Sequence, residues 1–169
     1  DKIIIDHHID PDTKVAKQVI SFPNMCATSE IIFRLIYQLG GFESMTLGGA
    51  TCLYTGMMTD TGGFTYNSNN PEIYEVISLL LTKGIDKDKI YRNVFNVYSV
   101  DRMRLTGYIL YEKLKFYANN RASIYTLTRS EMKRFNFIRG DAEGLVNMPL
   151  QVKGMRLSIS LREDTERDV

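Results

Sequence analysis

His7 and His8 stand side by side directly after Asp6, at the end of the β-branched run Ile3-Ile4-Ile5, and the chain has no other histidine. Imidazole beside carboxylate is a borderline-hard donor set, suited to manganese, iron or zinc. A short β-branched run bounded by polar residues has the pattern of a buried strand in a parallel sheet. In open α/β sheets, ligands bind beyond the carboxyl ends of the strands, and Asp6, His7 and His8 fall at such an end. The same triplet equally describes a solvated strand end, with Asp6 capping the next turn and both rings bonded to backbone. Motifs this short recur by chance.

Thr59-Asp60-Thr61-Gly62-Gly63-Phe64 is the second element with chemical content. It places an acid at the end of a helical stretch, then small residues that admit close backbone approach to a ligand. A helix C-terminus is a poor place for a carboxylate unless a cation compensates its dipole. A divalent metal shared by His7 and Asp60 is such a cation. A plain helix end with glycines in the following loop is the alternative.

The elements that must position these residues follow from periodicity. After the first strand the chain reads as a loop through Pro11 and Pro23. Thr28 or Ser29 then offers an N-cap, with Glu30 in the first turn. Ile31, Ile32, Leu35, Ile36 and Leu39 follow at helical spacing until Gly40-Gly41. A second helix runs from about Leu47 into Met58 and delivers Asp60 at its end. Asn70 as N-cap and Pro71 at the first helical position start a third, which Gly84 stops. From Asp88 to Tyr117 the pattern is mostly helical, with Leu105, Ile109, Leu110 and Leu114 as its buried set. Beyond Asn119-Asn120, Ser123 to Thr128 is β-rich, Ser130-Glu131 opens a short helix, and Met155 to Leu161 alternates like a half-exposed strand. The change of character predicts two domains, 1–118 and 119–169.

Composition narrows the class without choosing the chemistry. The 169 residues are 44% hydrophobic and 24% charged, as in ordinary globular proteins. A formal charge of +1 gives no general attraction to a long polyanion. Cys26 and Cys52 make neither zinc spacing nor a disulfide framework, and both read as packed thiols of a reducing cytosol. No apolar run is long enough to span a membrane, and no signal peptide is expected. The expected location is cytoplasmic. The chain starts inside a strand without an initiator Met and stops in a charged run, so a segment of a longer protein is expected.

Taken together, Asp6-His7-His8, then Ala27-Thr28-Ser29-Glu30 opening a helix, then Thr55-Gly56-Met57-Met58-Thr59-Asp60-Thr61-Gly62-Gly63-Phe64 resemble the third and fourth motifs of the DHH phosphoesterase superfamily. Gly140-Asp141-Ala142-Glu143-Gly144-Leu145-Val146-Asn147-Met148-Pro149-Leu150 resembles the start of the DHHA1-type accessory domain in the nano-RNase/pAp phosphatase branch. The family's N-terminal His-x-Asp-x-Asp motif, its further isolated acid and its C-terminal Gly-Gly-Gly-His motif do not occur in this sequence. The resemblance implies an α/β fold: the C-terminal part of a parallel-sheet DHH domain, then part of a smaller α+β DHHA1-type domain.

The resemblance also implies roles. His7 and Asp60 would ligate one metal, and His8 would face the substrate phosphate. Asp6 would orient the imidazoles from behind, and Thr61 and Gly62 would shape the substrate loop, although for these two packing alone is an equal reading. The implied cofactor is manganese, two ions in the intact enzyme, clamping the attacking and leaving oxygens of a phosphate ester. Half of that centre lies in this chain. The implied substrates are short oligoribonucleotides and 3′-phosphoadenosine 5′-phosphate, hydrolysed to AMP. Short RNA and nucleotides are then the partners, no membrane is involved, and a homodimer is compatible. A RecJ-type single-strand exonuclease, a cyclic-dinucleotide phosphodiesterase and a catalytically inactive nucleotide-binding module are the competing expectations. A type II inorganic pyrophosphatase is disfavoured, because its second domain differs from the segment seen here.

Overall fold

The computed structural model describes residues 2–12, 14 and 16–164. The chain is an α/β protein with parallel sheet elements, and it divides into two compact units, Asp1–Asn96 and Val97–Val169. The division falls well before the expected 118/119. The helix Val100–Tyr108 belongs to the second unit because Leu105 and Ile109, both 0% exposed, pack into that unit's core.

In the first unit, β1 (Ile3–Asp6) pairs in parallel with β2 (Gln18–Ser21), Ile5 opposite Ile20 and Asp6 opposite Ser21. β2 lies in what read as loop. Its signal was the short apolar stretch Val19-Ile20, masked by the flanking prolines. β1 is also less buried than its composition suggested: Ile3 is 56% exposed, and Ile4 and Ile5 are half-buried. Among the described residues β2 is its only strand neighbour.

Four helices follow: α1 (Thr28–Gln38), α2 (Leu47–Asp60), α3 (Pro71–Thr82) and α4 (Lys87–Phe95). Thr46 caps α2 by accepting from the Gly49 N–H at 3.1 Å, and Asn70 caps α3 by accepting from the Glu72 N–H at 3.1 Å. The α1 cap differs from expectation. Ala27 is the capping residue and offers no side-chain bond; instead Glu30, in the first turn, reaches back to the Cys26 N–H at 2.8 Å. The core gathers Phe33, Ala50, Tyr54, Met57, Ile73 and Leu80 from α1, α2 and α3. Cys26 is buried there, and burial followed by the Glu30 carboxylate pushes its thiol up to about 12. Cys52 is exposed, which corrects its assignment as a packed thiol.

In the second unit α5 (Val100–Tyr108) runs into a π-helical turn, Ile109–Lys113, and then β3 (Lys115–Tyr117), so the stretch read as mostly helical ends in a strand. β3 pairs antiparallel with β4 (Ala122–Leu127), which pairs in parallel with β5 (Leu157–Arg162). Between them come α6 (Arg129–Arg134) and a 3₁₀ helix, Leu145–Gln151. Ser123, Tyr125 and Leu127 point one way along β4 and are buried, as the period of two demands. A capping box opens α6: Thr128 accepts from the Glu131 N–H, and Glu131 accepts from the Thr128 N–H at 2.9 Å. Tyr108 and Lys113 also donate to Glu131, each at 2.6 Å. Burial alone would push the Glu131 carboxyl up; Lys113, Thr128 and Tyr108 outweigh it and hold the group at about 2.

Candidate active site

β1 ends at Asp6 and hands the chain to His7 and His8. The Asp6 carboxylate bends that exit, accepting from the His7 N–H at 2.8 Å and the His8 N–H at 3.2 Å. One of its oxygens lies 2.7 Å from His8 Nδ1. The His8 N–H first, then the other donors, hold Asp6 below the usual carboxylate range. β2 secures the far side: the Phe22 N–H donates to the Asp6 carbonyl at 3.1 Å, and the Ser21 hydroxyl to the His8 carbonyl at 3.3 Å. The solvated-strand-end reading described part of this, since Asp6 does cap the turn. It did not provide for what His7 does.

His7 Nε2 approaches Asp60 Oδ2 to 3.5 Å. That is too long for a charge-assisted hydrogen bond, which lies near 2.7–2.9 Å. It is about the spacing of two ligands on one tetrahedral first-row ion with bond lengths of ~2.0–2.2 Å. His7 is mostly covered, at 18% side-chain exposure, while Asp60 is 45% exposed. An imidazole nitrogen and a carboxylate oxygen thus converge on a half-open point at the joint end of a strand and a helix. The pair fits a divalent cation as two of its ligands. Among the described residues no group of three or more such side chains converges.

Asp60 is the last residue of α2, and no basic side chain stands in that helix's last turn. Its position is set by the crossing of α2 over α1. At Gly56, one turn earlier, an added Cβ would lie 2.8 Å from Ser29 Oγ and 2.9 Å from Ser29 Cβ. Gly56→Ala is therefore expected to cost about 1–3 kcal/mol through overpacking and to move Asp60 away from His7. Denaturant unfolding checks it, with Ser29→Gly as the restoring partner; a Gly56→Ala variant of unchanged stability would show that the crossing is not tight.

Downstream of Asp60, Thr61 is 0% exposed. Its hydroxyl donates to the Met57 carbonyl at 2.7 Å and accepts from the Phe64 N–H at 2.9 Å. Thr61 therefore builds the loop and does not face a substrate, which corrects the substrate-contact expectation in favour of the packing one. Gly62 is exposed at φ +56°, and an added Cβ would press on the Tyr66 ring at 3.0 Å, so the loop needs glycine there. The Asn67 amide ties the loop back to the Met25 carbonyl at 3.3 Å.

The structure places His7 beside Asp60 and Asp6 beside His8. Asp6 is bonded to the ring of His8 and not to that of His7. Ser21 and Asn67 were missed; the Ser21 hydroxyl and the Asn67 amide each donate to a backbone carbonyl. The close approach at Gly56 left a signal, as a glycine inside a helical pattern.

No family model matches the chain. A solved structure of an exopolyphosphatase-related protein from Bacteroides fragilis superposes with a TM-score of 0.92 at 53% identity, over 97% of this chain and 48% of that one. A Mycoplasma pneumoniae protein described as an uncharacterized MG371 homolog is 28% identical over 91 residues, which is 54% of this chain and 27% of that protein. The chain spans about half the length of the solved relative and about a quarter of the Mycoplasma protein. At that identity and overlap, the α/β architecture described above is shared with the matching half of the Bacteroides fragilis protein.

Proposed function

We propose that this chain carries part of the centre of a manganese-dependent phosphoesterase that hydrolyses short oligoribonucleotides and 3′-phosphoadenosine 5′-phosphate, the latter to AMP and phosphate. The observation that carries the reading is the convergence of His7 Nε2 and Asp60 Oδ2 at 3.5 Å. It is supported by the DHH-like order of the motifs and by the similarity to an exopolyphosphatase-related protein. His7 and Asp60 are the residues that would hold manganese. When bound, such a metal supplies an activated water and a Lewis acid for the phosphoryl oxygens.

The remaining roles belong to the chain itself. With Nδ1 bonded to Asp6, the free ring nitrogen of His8 is Nε2, and the side chain is 75% exposed. A His8 ring protonated on both nitrogens donates from Nε2 to a phosphoryl oxygen and stabilises charge there. Asp6 holds that ring's orientation through Nδ1. Thr61 fixes the turn that presents Asp60.

A second reading is favoured by the description of the solved relative, namely hydrolysis of the terminal phosphoanhydride of inorganic polyphosphate. One experiment separates the two. Phosphate release is followed from 3′-phosphoadenosine 5′-phosphate, a short RNA and polyphosphate, with manganese and with a chelator, in the protein at its natural length. Manganese-dependent turnover of the first two is expected. Turnover of polyphosphate alone would select the second reading, and no turnover of any would overturn both.

A further inference from the structure

We infer that Tyr66 is a stacking platform for the nucleobase next to the scissile phosphate, and so a specificity-determining residue of the candidate active site. The inference rests on the phosphoesterase reading above. It names the group that would let this site tell a nucleotide from inorganic polyphosphate.

The chain beyond Asp60 is bent by left-handed residues. Gly62, Gly63, Phe64 and Asn67 have φ of +56°, +74°, +64° and +44°. Glycine takes that region freely, but for a side chain as bulky as that of Phe64 it is an outlier, and such outliers gather at ligand-binding sites. The bend parts the loop's two aromatic rings. Phe64 turns inward, its ring 5.7 Å from that of Tyr54. Tyr66 is left 70% exposed. Among the described residues its ring pairs with no other ring and its hydroxyl makes no hydrogen bond.

The exposed ring is nevertheless held. Its edge rests on Gly62, where an added Cβ would meet Cδ2 at 3.0 Å and Cε2 at 3.2 Å. The loop beneath is tied by its own hydroxyls: Thr65 donates to the Gly62 carbonyl and Ser68 to the Phe64 carbonyl, each at 2.8 Å. Asn67, the next residue, is anchored on the Met25 carbonyl. The ordering needed to present the ring is therefore in place before a ligand arrives. Gly62 follows Asp60 by two residues, at most ~7.6 Å between their α-carbons. A base lies one ribose away from its own 3′-phosphate, a comparable reach. An open aromatic face is what an unpaired base stacks on, whatever its identity. Polyphosphate has no such face to offer.

The test uses the protein at its natural length, with manganese. kcat and KM are measured for 3′-phosphoadenosine 5′-phosphate and for its base-free analogue, which carries the same two phosphates on the sugar alone. Wild type is expected to favour the adenine substrate about fivefold or more in kcat/KM, the size of one base–aromatic stack, with the difference lying in KM. Tyr66→Ala should bring the two substrates near parity. Tyr66→Phe, which keeps the aromatic face, should retain the preference. Tyr66→Leu covers Gly62 without an aromatic face and should behave like Tyr66→Ala, so it serves if the alanine variant does not fold. Parity of the two substrates in wild type, or an undiminished preference in both Tyr66→Ala and Tyr66→Leu, would overturn the platform and leave the hydrolase reading standing. An equal loss on both substrates would make the ring a brace for the Asp60 turn, and overturn the platform too. Wild type that turns over neither bisphosphate would overturn the hydrolase reading, and the platform would fall with it.

Discussion

His7→Ala and Asp60→Ala are each expected to lower manganese-dependent phosphate release on the order of 10³-fold or more, in variants that remain folded. Each removes one of two donors whose atoms stand 3.5 Å apart, so each leaves the metal with the same deficit. The double variant should be scarcely worse than either single one, because residues acting as one unit cannot be lost twice. His8→Ala has a different signature: its imidazole is exposed and bonded to Asp6, not to Asp60. Metal content should persist while turnover falls about 10²–10³-fold, the range for removing one donor to a developing oxyanion. Hydrolysis of short RNA and of 3′-phosphoadenosine 5′-phosphate should fall in parallel. Metal content by mass spectrometry and both assays, run on the same preparations, make the comparison. Full activity in a folded Asp60→Ala variant would end the metal assignment.

The site's donors were legible because their types are rare and their neighbours punctuate the chain. Two histidines follow a β-branched run, and an acid precedes paired glycines. The helices α1, α2 and α3 were legible from apolar residues at helical spacing, and at α3 the expected Asn70 cap agrees as well. What stayed hidden depends on contacts made across long sequence distances. β2 is four residues long and becomes a strand only by pairing with β1. The boundary between the units went unseen because α4 and α5 are both helical, and only packing assigns them to different cores. Thr61 was ambiguous because a hydroxyl beside a ligand acid serves a substrate or a turn equally well. The fully buried geometry decides for the turn.

The same distinction explains why the largest stability effect is expected at Glu30, a residue the sequence offered only as a favourable charge in a helix's first turn. Glu30 is 1% exposed. One carboxylate oxygen accepts from the Cys26 N–H at 2.8 Å; the other accepts from Arg34 Nε at 3.0 Å and Nη2 at 2.7 Å. Arg34 Nη2 also lies 3.0 Å from Glu72, which is 56% exposed. Glu30→Ala would leave the Cys26 N–H buried without its acceptor and Arg34 with only a solvated partner. Removing one member of a buried pair costs about 3–5 kcal/mol. The loss should reach the site, because residues 22–26 carry both the Phe22 bond to Asp6 and the Met25 bond to Asn67. Glu30→Gln keeps an acceptor for Cys26 and should lose less. Cys26 supplies a local readout: buried, with its thiol pushed up to about 12, it should resist alkylation in the wild type. Exposed Cys52 serves as the internal control. In Glu30→Ala, Cys26 should become reactive at a denaturant concentration where the wild-type thiol is still protected. Wild-type protection of Cys26 together with an unchanged unfolding midpoint would mean that the loop before α1 is held by packing alone, and that Glu30 does not anchor the site.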